Sequence, residues 1–341
     1  MTSVVSPVST AAPAAAAVPG PGSADRGVVA ASFLLQRWRW ADLALLVLLL
    51  CGYLFAERHL ALATSVLVAI VFALSLDLAQ GYGGIETLGH AAFFGVGAYA
   101  AALYATHVSP EPLSGLAVAG ACAAVVGALT AFAVVRAHGL TQIMLTLAVA
   151  TVLYELANVF KGITGGDDGL GGFDVAPLFG RFAFDLFGHT GYWYAAGVLL
   201  VVYALCKALV NTPFGLVVQG IRENPVRMRM LGVPVVPRLV TLYAVAAGVA
   251  GIAGGLAAQV NRVVGMDALS FTASANVLVM LALGGTGRLY GAFFGAIVFV
   301  LLSDRAAVIN PTYWLAALGV LLILVVRFAP RGLSGGLKGL R

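Results

Sequence analysis

Few residues of this sequence have the type and spacing that covalent chemistry needs. The closing Gly332-Leu333-Ser334-Gly335-Gly336 has the spacing of a nucleophile elbow, but no strand is expected before it and no helix after it, and it reads as a flexible tail. The chain has three lysines, Lys161, Lys207 and Lys338, none in a glycine-rich loop that could cradle phosphates, so a nucleotide site of that kind is excluded. Cys51, Cys122 and Cys206 stand singly in apolar runs without disulfide or metal-ligand spacing, and read as small core residues. No nucleophile lies beside a base and no ligand cluster is visible, so no enzyme activity, metal or cofactor is expected.

What remains is polar chemistry set into apolar surroundings. Gly81 to Tyr99, GYGGIETLGHAAFFGVGAY, places Thr87 and His90 among glycines 81, 83, 84, 89, 95 and 97. Such a run either breaks a helix beside a solute path or lets helices pack closely. On the first reading Thr87, Gly89, His90, Gly95 and Gly97 line the path, joined by a second glycine break at Gly284-Gly285-Thr286-Gly287. That second break is either a re-entrant turn or a tight hairpin. Asp77 and Glu155 are acids inside apolar runs, where ionised groups are costly and therefore commonly functional, unless they lie near a span end.

The most basic loop is Asn211 to Arg238, with Arg222, Arg227, Arg229 and Arg238 against the single acid Glu223. Inside it the punctuation of a short helix is complete: Asn224 to cap, Pro225 for the first turn, Gly232 to stop. Val226 and Met230 fall one turn apart, as do Arg227 and Leu231, so apolar ridges run beside basic ones and the helix suits a docking role.

The elements that must position these groups follow from composition. With 61% hydrophobic and 10% charged residues and a mean hydropathy of +1.00, the 341-residue chain cannot cover a soluble globule with polar surface. Apolar runs of about 20 residues recur, the length a helix needs to cross hydrocarbon, and they lack the period-two alternation of a barrel. The expected fold is an all-α polytopic membrane protein with about ten transmembrane helices, near 41–56, 60–79, 88–106, 113–135, 140–160, 190–210, 238–260, 272–287, 291–304 and 313–327. Residues 1–32 read as a disordered cytoplasmic tail without a signal peptide, 33–330 as the transmembrane domain, and 331–341 as a second cytoplasmic tail. With the amino terminus inside, fourteen of the 19 Lys and Arg fall on inner segments and five on outer ones, which favours that orientation with both termini cytoplasmic. Loop 211–238 is then cytoplasmic, and the Gly- and Phe-rich loop 162–190 is external, either an interfacial lid or a receiver for a soluble partner. The net charge of +5 matches basic inner loops, and no nucleic-acid partner is expected. Ala92-Phe93-Phe94-Gly95 recurs as Ala292-Phe293-Phe294-Gly295, a resemblance of the size chance produces.

Five segments, in this order, resemble a known family: Leu88-Gly89-His90-Ala91-Ala92-Phe93-Phe94-Gly95-Val96-Gly97-Ala98-Tyr99; Thr164-Gly165-Gly166-Asp167-Asp168-Gly169-Leu170; Ile221-Arg222-Glu223-Asn224-Pro225 with Leu231-Gly232-Val233; Gly284-Gly285-Thr286-Gly287; and Pro330-Arg331-Gly332-Leu333. The family is the permease subunits of branched-chain amino acid ABC importers, in their LivM-like branch. The resemblance implies an ABC importer permease fold with no ATP site of its own, in the cell inner membrane. It also implies cytoplasmic ATP-binding subunits, a LivH-like permease or a second copy, and an external substrate-binding protein as partners. By the same resemblance Asn224 to Leu231 is the coupling helix, and Arg222, Glu223, Asn224, Pro225, Arg227, Met230, Leu231 and Gly232 are its contact residues. Ile85-Glu86-Thr87 departs from the family pattern by placing an acid there, which leaves the solute open between branched-chain amino acids and related small polar solutes. The rival reading is an ion- or proton-coupled carrier or channel working through Asp77, Glu155 and His90.

Overall fold

A computed structural model describes residue 53, residues 59–177 and 188–309, and residue 319. Within them, α1 spans Leu60–Leu76 and continues as a π-helical turn, Asp77–Tyr82. After an extended segment come α2 (Ala91–His107), α3 (Pro112–Val134) and α4 (Leu140–Val159). A short motif around Leu170–Gly171 is followed by α5 (His189–Asn211), then α6 (Pro213–Glu223) and α7 (Pro225–Met230). The chain continues through α8 (Val235–Asn261), α9 (Phe271–Gly284) and α10 (Leu289–Ile309).

Six of these helical stretches are long and apolar enough to cross a membrane: α1 with its π turn, α3, α4, α5, α8 and α10. The other two apolar helices are short. At 1.5 Å per residue, α9 with its 14 residues reaches about 21 Å against a hydrocarbon layer of about 30 Å. Eight of the ten expected spans thus coincide with helices. Apart from residues 53 and 319, the spans 41–56 and 313–327 lie outside the described residues, as do both tails.

The helix α8 is the axis of the bundle, packed against α1, α2 and α3. Its sequence explains this, because Gly248, Gly251, Gly254 and Gly255 recur along it at spacings that keep small residues on its packed faces. Gly251 lies on Ala119 and Ala123 of α3, and Gly254 lies on the backbone of Phe94 in α2. Gly97 in turn lies on the backbone of Gly251. In lipid, where apolar side chains gain little by leaving the solvent, such close backbone approach supplies the packing that holds helices together. Gly95 also serves packing, fitting against Leu269 and the Ala268 carbonyl.

On the face reached by the ends of α4 and α8, Leu170–Gly171 pairs antiparallel with Val263–Val264, in the register Leu170 with Val264. Phe173 is buried against Tyr99, Met266 and Leu269, and the Ala176 amide donates to the Pro110 carbonyl at 2.8 Å. The described part of the 162–190 loop thus packs on α2 and on the segment that follows α8. Its phenylalanines 179, 182, 184 and 187 lie outside the described residues. Of the cysteines, Cys206 is buried as expected, whereas Cys122 stands on the exposed side of α3, and Cys51 lies outside the described residues.

Candidate functional site

The Gly81–Tyr99 segment breaks a helix and also packs helices. Between the π turn and α2, residues 83–90 run without helix through the bundle. Most of this backbone is buried, and at such depth irregular chain persists only if its polar groups find partners. They do. Thr146 Oγ1 accepts from the Leu88 amide at 3.2 Å, Thr87 Oγ1 from the Gly89 amide at 3.2 Å, and Ser274 Oγ from the Ala91 amide at 2.9 Å. Three hydroxyls from three elements thus hold the break open.

His90 is 1% exposed, with Nε2 at 2.9 Å from Ser75 Oγ and the ring stacked on Phe72 at 5.9 Å between centroids. Its Nδ1 makes no hydrogen bond. Phe72 also meets Phe94, at 4.7 Å between centroids, and together the two rings form part of the wall of a cavity of about 280 Å³ among α1, α2, α8 and α9. The remaining wall is apolar Val68, Ala69, Ala257, Val260, Ala273, Val277 and Met280, with Thr64, Ser65, Asn261 and Asn276 as the polar groups. Among the described residues no ionisable side chain lines it. The chemistry suits a small neutral or zwitterionic solute with an aliphatic portion. None of Thr87, Gly89, His90, Gly95, Gly97, Gly284 and Gly285 lines this cavity. His90 stands directly behind its Phe72 wall, whereas Gly95 and Gly97 are buried in helix contacts. The lining asparagines and the Thr64-Ser65 pair escaped sequence reading, since isolated amides and hydroxyls at helix ends carry no pattern of their own.

At the opposite end of α1, about 18 Å from Ser65 by helical rise, a second constellation forms. Asp77 is fully buried, and its Oδ1 accepts from the Gly287 amide at 2.7 Å. At the Gly284–Gly287 break α9 and α10 lie against each other, and Gly284 and Gly295 sit on facing backbone. Arg222, from the end of α6, reaches in and donates to the Gly81 carbonyl inside the π turn. A Cβ at Gly81 would collide with Asp77 Oδ1 and the Gly287 amide, so only glycine fits between these partners. Glu155 and Glu86 are exposed and take no part.

The basic loop forms the short helix that its punctuation predicts. Asn224 Oδ1 accepts from the Arg227 amide at 2.9 Å with Pro225 in the first turn. Gly232, at φ +80°, closes the end, with Gly232 N to Arg229 O at 3.0 Å and Val233 N to Met228 O at 3.1 Å. Met228 packs on Gly220 of α6, while Val226 at 56%, Met230 at 83% and Leu231 at 69% exposure stand clear. Glu223, Arg227 and Arg229 are exposed beside them. Arg222 is exposed too but differs from them in its contacts: its stem lies on Gly84 and its guanidinium meets the Gly81 carbonyl.

A helical bundle with several membrane-crossing helices, a broken span and an uncharged cavity defines a multi-pass transport component. Residues 59–326 match the family described as branched-chain amino acid transport system / permease component. The chain belongs to that family, in its LivM type. It is 29% identical over 314 residues, covering 85% of this chain and 73% of the relative, to the high-affinity branched-chain amino acid transport system permease protein LivM of Escherichia coli K12. The LivM protein of Salmonella typhimurium is 27% identical over 85% of this chain and 73% of its own length. A probable branched-chain amino acid transport permease protein LivH of Methanocaldococcus jannaschii is 23% identical over 78% of this chain and 88% of its own. No solved structure matches the chain. All three relatives are named as permease proteins of branched-chain amino acid transport.

Proposed function

We propose that this chain is the transmembrane permease subunit of an ATP-driven importer for branched-chain amino acids or related small polar solutes. The observation that carries the proposal is α7: a capped, six-residue helix on a basic loop, with Val226, Met230 and Leu231 exposed among the described residues. An exposed apolar ridge flanked by arginines is what a helix-in-groove contact requires, and a cytoplasmic ATP-binding subunit is the partner that would give it work to do. ATP-driven closure of two such subunits would pull α7 and rock the bundle between outward-open and inward-open states. The cavity among α1, α2, α8 and α9 supports a station for the solute. Its aliphatic wall would take a branched side chain, and the neutral amides and hydroxyls would meet the charged groups of a zwitterion without a fixed countercharge. A LivH-like permease or a second copy completes the membrane pair, an external binding protein delivers solute, and the complex lies in the inner membrane with both termini cytoplasmic.

Uptake of leucine, isoleucine and valine into reconstituted vesicles tests this. Uptake is expected only when the ATP-binding subunits and ATP are present on the inner side. Uptake driven by a proton gradient without them would overturn the proposal.

A further inference from the structure

The π turn Asp77–Tyr82 is where three distant parts of the chain meet. It interrupts the first described span just before the buried extended segment. The α9–α10 hairpin attaches to it through the Gly287 amide on Asp77 Oδ1 at 2.7 Å. The loop that carries α7 attaches through the Arg222 guanidinium on the Gly81 carbonyl. Asp77 Oδ2 and Gln80 Oε1 are both buried and make no hydrogen bond. A π turn has wide, poorly aligned backbone bonds and is a common place for a helix to change length or pitch. A buried carboxylate with one oxygen satisfied and the other empty, beside a guanidinium occupied elsewhere, is half of a charge-assisted pair.

We propose that Arg222 is the positioning residue that transmits movement of the inner loop to the broken helix, by exchanging partners. In the conformation described here, its guanidinium holds the Gly81 carbonyl and fixes the π turn. When α7 is drawn away with α6, the guanidinium slides along the turn and takes the empty Asp77 Oδ2. The Gly81 carbonyl is released, and the π turn and residues 83–90 are free to shift, while Asp77 Oδ1 keeps its bond to the Gly287 amide. No bond is made or broken covalently, since one hydrogen bond is exchanged for another. The neighbouring glycines permit the slide, because a side chain at Gly81 or Gly287 would occupy its track. This inference rests on the importer reading for the force that moves α7.

The test uses the whole transporter in proteoliposomes, with solute uptake and ATP hydrolysis measured on the same sample. Arg222→Gln should lower solute moved per ATP by at least about tenfold, the size expected for loss of one charge-assisted hydrogen bond. Arg222→Lys, which keeps the charge and loses the fork, should recover part of that loss. Asp77→Asn, which keeps an acceptor for Gly287 and removes the charge, should also lower solute per ATP. The double variant should be no worse than Arg222→Gln alone, because both act on one exchange. Multiplying losses in the double variant, or an unchanged ratio in Arg222→Gln, would overturn the exchange. Hydrogen exchange on the wild-type complex gives an answer independent of any variant. Amides 78–90 should change protection together with 219–231 on nucleotide binding, and a change confined to 219–231 would overturn it too. Wild-type uptake that needs no ATP would remove the importer reading and this inference with it, whereas ATP-dependent uptake with independent segments would remove this inference alone.

Discussion

Thr146 shows how one hydroxyl decides local architecture. It sits on α4, donates to the Ile143 carbonyl at 2.8 Å and accepts from the Leu88 amide of the broken segment. Thr146→Val keeps the shape and leaves the Leu88 amide without its partner, at a cost of about 1–3 kcal/mol. A lowered thermal midpoint in detergent is expected for Thr146→Val and not for Thr141→Val, since Thr141 is exposed on the same helix. Gly97 is the second residue whose replacement has a sharp outcome. Its Cα faces the Gly251 backbone, so Gly97→Leu would force α2 off α8. Loss of folded, monodisperse protein in detergent is the expected result, and wild-type yield would show that this contact is not close. Arg222 and Glu223 adjoin in sequence and are both exposed, but the Arg222 guanidinium donates to the Gly81 carbonyl, so their effects on coupling should separate when each is replaced alone.

At the scale of elements, α7 is built to be rigid and to be seen. Its cap, first-turn proline and C-terminal glycine hold six residues in a helix too short to persist without them. Asn224→Ala should cost about 1 kcal/mol of local helix stability, read as faster amide exchange across 225–231 with the spans unaffected. Met230→Asp combined with Leu231→Asp should leave membrane insertion and bundle stability unchanged and abolish co-purification of the ATP-binding subunits. Retained co-purification would move the docking surface elsewhere. The α9–α10 pair illustrates the opposite case, a short helix and a long one whose tight turn serves as an attachment point for Asp77.

For the whole molecule, sidedness is the property on which the functional reading depends, and it is measurable. In a chain freed of its native cysteines, Met230→Cys should react with a membrane-impermeant maleimide only from the inner side, and Asp174→Cys only from the outer side. Both sites are exposed, so reaction depends on side alone. Labelling of Met230→Cys from outside would remove α7 from any ATP-binding subunit. The cavity runs along α1 from Thr64 to Phe72, whereas the contacts of Asp77 and Arg222 lie beyond the C-terminal end of that helix.

What the sequence determined by itself are the features governed by local rules. Apolar run length placed the helices within a few residues, because a span must satisfy its own backbone in lipid. Asn224, Pro225 and Gly232 placed α7, because capping and positive φ are decided within a few residues of chain. The glycine run 81–97 announced both a break and close packing. Which glycine does which was settled only by the tertiary structure, as Gly97 meets Gly251 and Gly81 meets Asp77 and Gly287 across the fold. The same holds for Asp77, whose burial depends on a turn 210 residues away, and for Arg222, whose partner lies 141 residues back. The cavity's asparagines and its Phe72–Phe94 wall were beyond sequence reading for the same reason: a concave surface belongs to several helices at once, and no single stretch of chain carries its pattern.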